Sequence, residues 1–389
     1  VTIVGSLSHL RVLDLSRILA GPYCTQMLAD LGADVVKVER PGAGDDTRGW
    51  GPPFDESGMS AYFAAANRNK RSVALDLKTD LGREAVRRLA VRSDVVVENF
   101  RAGHLDAMGL GYDALAVSNP GLVFCSITGF GSTGPRRDEP GYDFLIQAMG
   151  GLMAITGDPD GEPMKVGVAV ADLFAGTLAA VAILAALAGR GQSGRGQRID
   201  MSLYDSQLSM LANVASSHLF TGVEPRRYGN AHPNIVPYQT LAASDGRFAL
   251  ALGSDGQWAA LCRELGRDDL AIRLDLATNA GRVVGRDSLI PDLERSFAAL
   301  TVDEAVAACS RAGVPAGPVR GVAEAFNDPQ TAARQMIVET RRTDGTIVPT
   351  VGSPLALLAT PPVYRLAPPR LGEHTAEVLG EIGLDPPSD

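Results

Sequence analysis

Residues 11–39 read RVLDLSRILAGPYCTQMLADLGADVVKVE, and their periodicity settles the architecture. Arg11–Leu15 is a short apolar run of strand type, Pro22–Leu31 carries helical spacing closed by Gly32, and Asp34–Glu39 is a second strand. A strand, a helix and a strand within about 30 residues form a βαβ unit. The pattern recurs outward from there, with strands at Ser72–Leu77, Asp94–Glu98 and Gly121–Ile127 and a helix at Leu81–Val91. Alternation of this kind predicts an α/β fold with a parallel sheet covered by helices.

Further along, helices are expected at Asp143–Met149, Val170–Gly189 and Leu203 to about Phe220, with a strand at Gln197–Met201. Gly, Pro, Asn and His crowd residues 222–237 and mark a linker. Beyond it, Arg247–Leu252 and amphipathic helices up to Gly313 read as a smaller domain. A hairpin is expected around Thr343-Asp-Gly-Thr346 and a last helix near Glu373–Ile382. The domain division is therefore 1–221, 222–325 and a return segment, 326–389.

Composition narrows the function. The 389 residues carry 36 basic and 45 acidic side chains, a net charge of −9 without long runs of either sign, so a nucleic-acid partner is not expected. Four cysteines, Cys24, Cys125, Cys262 and Cys309, are far apart and form no CxxC, so no metal site is expected. They read as buried hydrophobes in a reducing compartment, and the localisation expected is cytoplasmic. Seventeen uncharged residues run from Leu173 to Gly189. Their Ala and Gly content reads as a core helix, and no membrane partner is expected.

The first turn, Ser16–Tyr23, holds one glycine, too few for a dinucleotide fingerprint. Arg40 follows the second strand, where a guanidinium suits a ribose phosphate. Asn99-Phe100-Arg101 follows a later strand and offers an amide, a stacking plane and a charge, the mixture an adenine nucleotide tail requires. The basic string Asn67–Arg71 lies before its strand, at the opposite end, and on its own reads as solvated surface.

The strings LDLSRILAGPYCTQMLADLGADVVKVERPGAGDDTR, NRNKRSVALDLK, VVVENFRAG, SITGFGSTGPRRDEPGYD, VGVAVADLFAG, GRGQRIDMSLYDS, GVPAGPV and LGEHTAEVLGEIG resemble the family III CoA-transferases, in order and over nearly the whole chain. ERPGAGDDTRGWGPPF and HPNIVPYQT are most similar to members that pass CoA between dicarboxylic acids. The resemblance implies a large Rossmann-like domain built from both chain ends, a small inserted α+β domain, and an interlocked homodimer. It also implies an acyl-CoA thioester and a small carboxylic acid as substrates, with no permanently bound cofactor.

Carried over residue by residue, the resemblance places the nucleophile on Asp172. It places CoA contacts on Arg40, Leu75, Asp76, Leu77, Lys78, Asn99, Phe100, Arg101, Tyr142 and Asp143. Formyl- and oxalate-type members have glutamine where Leu19 stands, and many relatives have arginine where Ala107 stands. Arg17 and Leu19, in the first strand-to-helix turn, are candidate substrate contacts, as is His232. Arg17 could pair with the second carboxylate of a dicarboxylic acid or with a neighbouring acidic residue. From position alone Asp172 also reads as a helix cap. The racemases of the same superfamily put a histidine where Tyr142 stands, and a phenol of pKa near 10 is a poor base. CoA exchange is therefore the expected activity and racemisation the alternative.

Overall fold

The computed structural model describes residues 5–385. Six parallel strands, β1 (Arg11–Asp14), β2 (Asp34–Glu39), β3 (Lys70–Ala74), β4 (Val95–Glu98), β5 (Val123–Thr128) and β6 (Arg198–Ser202), form one sheet in the order β3-β2-β1-β4-β5-β6. The chain moves outward from β1 to β3, then returns to the other side of β1. The connections after β1 and β4 consequently diverge, and a crevice opens beyond the carboxyl ends of these two strands. Register is set by apolar pairs, with Val12 beside both Val35 and Val95.

Alternate strand residues feed two cores. Val12, Val35, Val95, Val97, Val123 and Cys125 pack with the helices Ala20–Asp30 and Val170–Ser193 on one face. Leu13, Val36, Val73, Val96 and Phe124 pack on the other with Asp80–Val91 and with Val378 and Leu379 of the helix Thr375–Glu381. Burial on both faces explains why β4 reads as an unbroken valine run.

Two compact units are present. The first comprises residues 1–152, 166–222 and 329–389, the second 153–165 and 223–328. The segment 153–165 therefore groups with the second unit, whereas the sequence reading kept it in the large domain. The second unit holds the antiparallel strands β7 (Tyr238–Ala242), β8 (Arg247–Ala251) and β9 (Ala316–Pro318), packed over Phe248, Trp258, Phe297 and Cys309. In the first unit β10 (Ile337–Arg341) and β11 (Ile347–Val351) make the expected hairpin, with Gly345 at φ 91° in its turn.

Several local expectations are corrected. β3 begins at Lys70, so residues 75–78 leave the sheet and form a loop at its carboxyl end. The helix expected from Leu203 is divided into Leu203–Met210 and Ala212–Thr221, with Ala212 at φ 43°. Asn67, Arg68, Asn69 and Lys70 are buried rather than solvated. Arg68 pairs with Asp30 at 2.6 Å, Lys70 with Asp14 at 3.0 Å, and Asn69 donates to Asp30 at 2.8 Å. These residues anchor the start of β3. The 24-residue helix Val170–Ser193 is apolar enough to span a membrane by length and composition, and 39% of its most apolar window is buried. Ala171, Ala175, Ala179 and Ile183 turn one face into the core, while Val181 is 57% exposed.

Candidate active site

Asp172 lies in the first turn of the helix Val170–Ser193. One turn further, Gly176 meets the start of the helix Ala20–Asp30 so closely that a Cβ there would stand 2.5 Å from the Ala20 carbonyl oxygen. Residues four apart share a helix face, so this contact brings Asp172 toward the turn that follows β1. Gly21 extends the close packing, since a Cβ on it would sit 2.3 Å from the Ser16 side chain. A cavity with about 160 Å³ of solvent-accessible space opens here, lined by Arg17–Ala20, Asn99–Ala102, Ile127–Gly129, Arg137–Tyr142, Asp172 and Leu203.

Asp172 does not cap its helix. Asp143 does so from outside, accepting the Ala171 amide at 2.8 Å with one carboxylate oxygen and the Gln147 side-chain amide at 2.7 Å with the other. Freed from capping, the Asp172 carboxyl takes no hydrogen bond from any described residue. Burial first, and then the negative charge of Asp143, push its pKa to about 7. The helix N-terminus favours negative charge there, and its unpaired amides can stabilise a developing oxyanion.

A second cavity of about 230 Å³ adjoins the first. Arg40, Leu75–Lys78, Phe100, His104 and Met108 line it, together with Arg17 and the buried Lys37, Glu39 and Asp45. Phe100 lines both cavities, and its ring stacks on His104 with 5.5 Å between centroids. Charged side chains of both signs, a planar ring and the apolar Leu75, Leu77 and Met108 therefore line the second cavity, and Asp172 lines the first. Arg17, Phe100 and the turn beside them connect the two.

The sequence candidates are accommodated unequally. Arg40, Leu75, Asp76, Leu77, Lys78 and Phe100 meet in the second cavity; Leu19, Asn99, Phe100, Arg101, Tyr142 and Asp172 meet in the first. Arg17 lines both, and its guanidinium pairs with Asp46 at 2.7 Å, the neighbouring-acid alternative. Asp46 also takes Arg40 at 2.6 Å. Asn99 spends its amide on the protein, accepting the Arg17 N–H at 2.9 Å and donating to the Arg17 carbonyl at 2.6 Å. Asp143 is likewise committed to the helix and to Gln147. Ala107 is exposed on the short helix His104–Ala107, beyond the His104 edge of the second cavity. His232 belongs to the second unit, where its Nδ1 accepts the Asn234 amide at 3.1 Å and its ring packs against Tyr238.

Three features escaped the sequence reading. Tyr62, edge-on to Trp50 with ring centroids 5.1 Å apart, has its phenol pKa raised by burial and by the charges of Asp172, Asp143 and Asp45. Arg137 and Glu139 line the Asp172 cavity. The largest omission is the buried charge beneath the turn. Lys37 and Asp45 pair at 2.9 Å and Lys70 and Asp14 at 3.0 Å, all four side chains fully buried. Lysines within apolar strands were the available signal: Lys37 interrupts a run of valines in β2.

The family model described as CoA-transferase family III matches residues 7–375. The succinate–glutarate CoA-transferase of Agrobacterium fabrum is 48% identical over 381 residues, covering 97% of this chain and 95% of that protein. The succinyl-CoA:mesaconate CoA-transferase of Haloarcula marismortui is 43% identical over 98% of both chains. Among solved structures, a CAIB/BAIF family protein from Brucella suis superposes with a TM-score of 0.88 at 48% identity, covering 97% of this chain and all of that one. A family model spanning residues 7–375, with relatives 48% and 43% identical over nearly the whole chain, identifies this protein as a member of CoA-transferase family III.

Proposed function

We propose that this CoA-transferase exchanges CoA between dicarboxylic acids, with succinyl-CoA as donor and a five-carbon diacid such as glutarate or mesaconate as acceptor, through covalent intermediates on Asp172. The observation that carries the reading is the Asp172 carboxyl, unbonded in its cavity and raised to about 7. A carboxylate of higher basicity is a stronger nucleophile, and near neutral pH a large fraction is ionised. Relatives named for succinyl-CoA with glutarate or mesaconate support the choice of acids.

The steps follow from the chemistry of a carboxylate. Asp172 attacks the thioester carbonyl, the C–S bond breaks, and CoA leaves as thiolate from a mixed anhydride. The thiolate then attacks the Asp172 carbonyl, releasing the donor acid and leaving an aspartyl-CoA thioester. The acceptor carboxylate attacks that carbonyl, expels the thiolate and forms a second anhydride. Thiolate attack on the acceptor carbonyl gives the new acyl-CoA and restores Asp172. Each intermediate stays as activated as its predecessor, so the thioester energy is conserved if water is kept out.

A homodimer belongs to the same reading. The helix Ala212–Thr221 buries none of its residues, and Leu219 and Phe220 are 79% and 90% exposed. Apolar surface of this kind, with the uncovered side of the helix Val170–Ser193, fits coverage by a second copy. An interlocked arrangement predicts that dissociation tracks unfolding rather than dilution.

The test is incubation with succinyl-CoA and a panel of carboxylic acids, with mass detection of new thioesters. Glutaryl- or mesaconyl-CoA is expected. Deuterium exchange beside the thioester carbonyl with no change of acid would instead establish a racemase.

A further inference from the structure

The turn between β1 and the helix Ala20–Asp30 is gripped at successive backbone groups. The Ser16 amide donates to Asp14 at 2.9 Å, and the Ser16 carbonyl accepts Lys37 Nζ at 2.8 Å. Asn99 brackets the Arg17 peptide groups as described above. The Ile18 amide then donates to both oxygens of Asp45, at 3.1 and 3.2 Å. Ile18 itself stands at φ 72°. In this left-handed region a branched Cβ is crowded against the backbone, so isoleucine does not hold it unaided. Strain retained at a functional cavity needs surroundings that enforce it.

Asp45 is built to do that. Lys37 Nζ pairs with Oδ2 at 2.9 Å, while the Thr47 amide and hydroxyl donate to Oδ1 at 3.0 and 2.8 Å. Glu39 fixes the backbone beneath it, accepting the Asp45 amide at 2.9 Å, and is itself paired with Arg48 at 2.7 Å. Immediately beyond Ile18 come Leu19, in the wall of the Asp172 cavity, and the first amides of the helix Ala20–Asp30, which a helix leaves without internal acceptors.

We propose that Asp45, held by Lys37, is a positioning residue for CoA transfer: it grips the Ile18 amide and keeps the Arg17–Leu19 turn in the strained form that walls the Asp172 cavity. The inference rests on reading that cavity as the transfer site. An amide cannot replace the carboxylate. Asparagine offers one acceptor oxygen, whereas the donors lie on both sides, Lys37 against one oxygen and Thr47 against the other. Whichever way it is turned, its NH₂ faces a donor.

A double-mutant cycle between Asp45 and Ile18 tests the proposal. Glycine adopts φ 72° without crowding, so a turn with Ile18→Gly depends less on the grip. Asp45→Asn is expected to lower kcat for succinyl-CoA:glutarate exchange at least twentyfold alone, and by a factor at least three times smaller in the Ile18→Gly background. Equal losses in the two backgrounds, or no loss alone, would overturn it, because a general structural defect does not depend on residue 18. If Asp45→Asn yields no soluble protein, Thr47→Val, which removes one donor from the same carboxylate, enters the same cycle. Amide hydrogen exchange of the 15–23 segment gives a readout independent of the acid. Faster exchange in Asp45→Asn is expected, and unchanged exchange overturns the grip. Should the unsubstituted enzyme transfer CoA to no acid tested, the functional reading fails and the exchange data alone decide the grip.

Discussion

Two carboxyls, Asp14 fully buried and Asp172 half-buried, end in opposite states. Asp14, at the end of β1, would be raised by burial, but Lys70, Lys37, Ser16 and Thr25 outweigh that and hold it near 2. Asp172 has burial and the adjacent Asp143 charge acting in one direction, and rises to about 7. Low dielectric strengthens either outcome, so the partners decide which one prevails. A buried carboxylate with cations on it is structure; one without them is reactive. The same layer shows the cost on the cation side, where burial takes Lys70 down to about 8 despite Asp14.

Removing each carboxyl in turn should separate the two roles. Asp172→Ala is expected to lower kcat by roughly 10⁴ or more, about 5.5 kcal/mol of barrier, while CoA binding measured by calorimetry stays within a few-fold. Appreciable residual turnover would show that Asp172 is not the nucleophile. Asp14→Ala should act on the fold instead. Leaving Lys70 buried without its partner is expected to cost about 3–5 kcal/mol in denaturant unfolding, a loss Asp172→Ala does not share.

The pH dependences should separate as well. Nucleophilic attack requires ionised Asp172, so kcat/KM for succinyl-CoA should fall tenfold per unit below about pH 7. Asp143→Asn removes the second cause of the shift and should move that limb to lower pH, leaving the larger contribution of burial. Stability runs the other way for the two groups. The folded state binds an extra proton at Asp172 between its ordinary pKa of 3.8 and about 7, so this carboxyl opposes folding increasingly as pH rises through that window. Asp172→Asn should therefore raise Tm at pH 8 and leave it nearly unchanged at pH 4. Asp14, with its pKa depressed from 3.8, stabilises above that value, and the contribution is lost as pH falls toward 2.

The smallest expected effect concerns Arg17, half-exposed and already paired with Asp46. A guanidinium has donors to spare for the far carboxylate of a diacid. Arg17→Leu should raise KM for glutarate about tenfold, roughly 1.4 kcal/mol, and affect a monocarboxylic acid of similar length much less. Equal losses for both acids would restrict Arg17 to the turn or to CoA.

The parallel sheet, the order of its strands along the chain and the placement of residues 17–19 and 99–101 in loops after strands were legible in the residues alone. Periodicity and turn residues are local, and they survive translation into structure. Asp172 was legible only through resemblance, because a carboxylate at a helix start has a commoner use as a cap. Tertiary structure alone gave that task to Asp143, 28 residues away along the chain from the Ala171 amide it accepts. It likewise turned Asn67–Lys70 from apparent surface into a buried anchor, since Asp14 and Asp30 come from other elements. The same holds for Lys37 and Asp45. Opposite charges eight positions apart carry no local signal, and only the packing of the strands removes water from both and closes the pair on the turn beside Asp172.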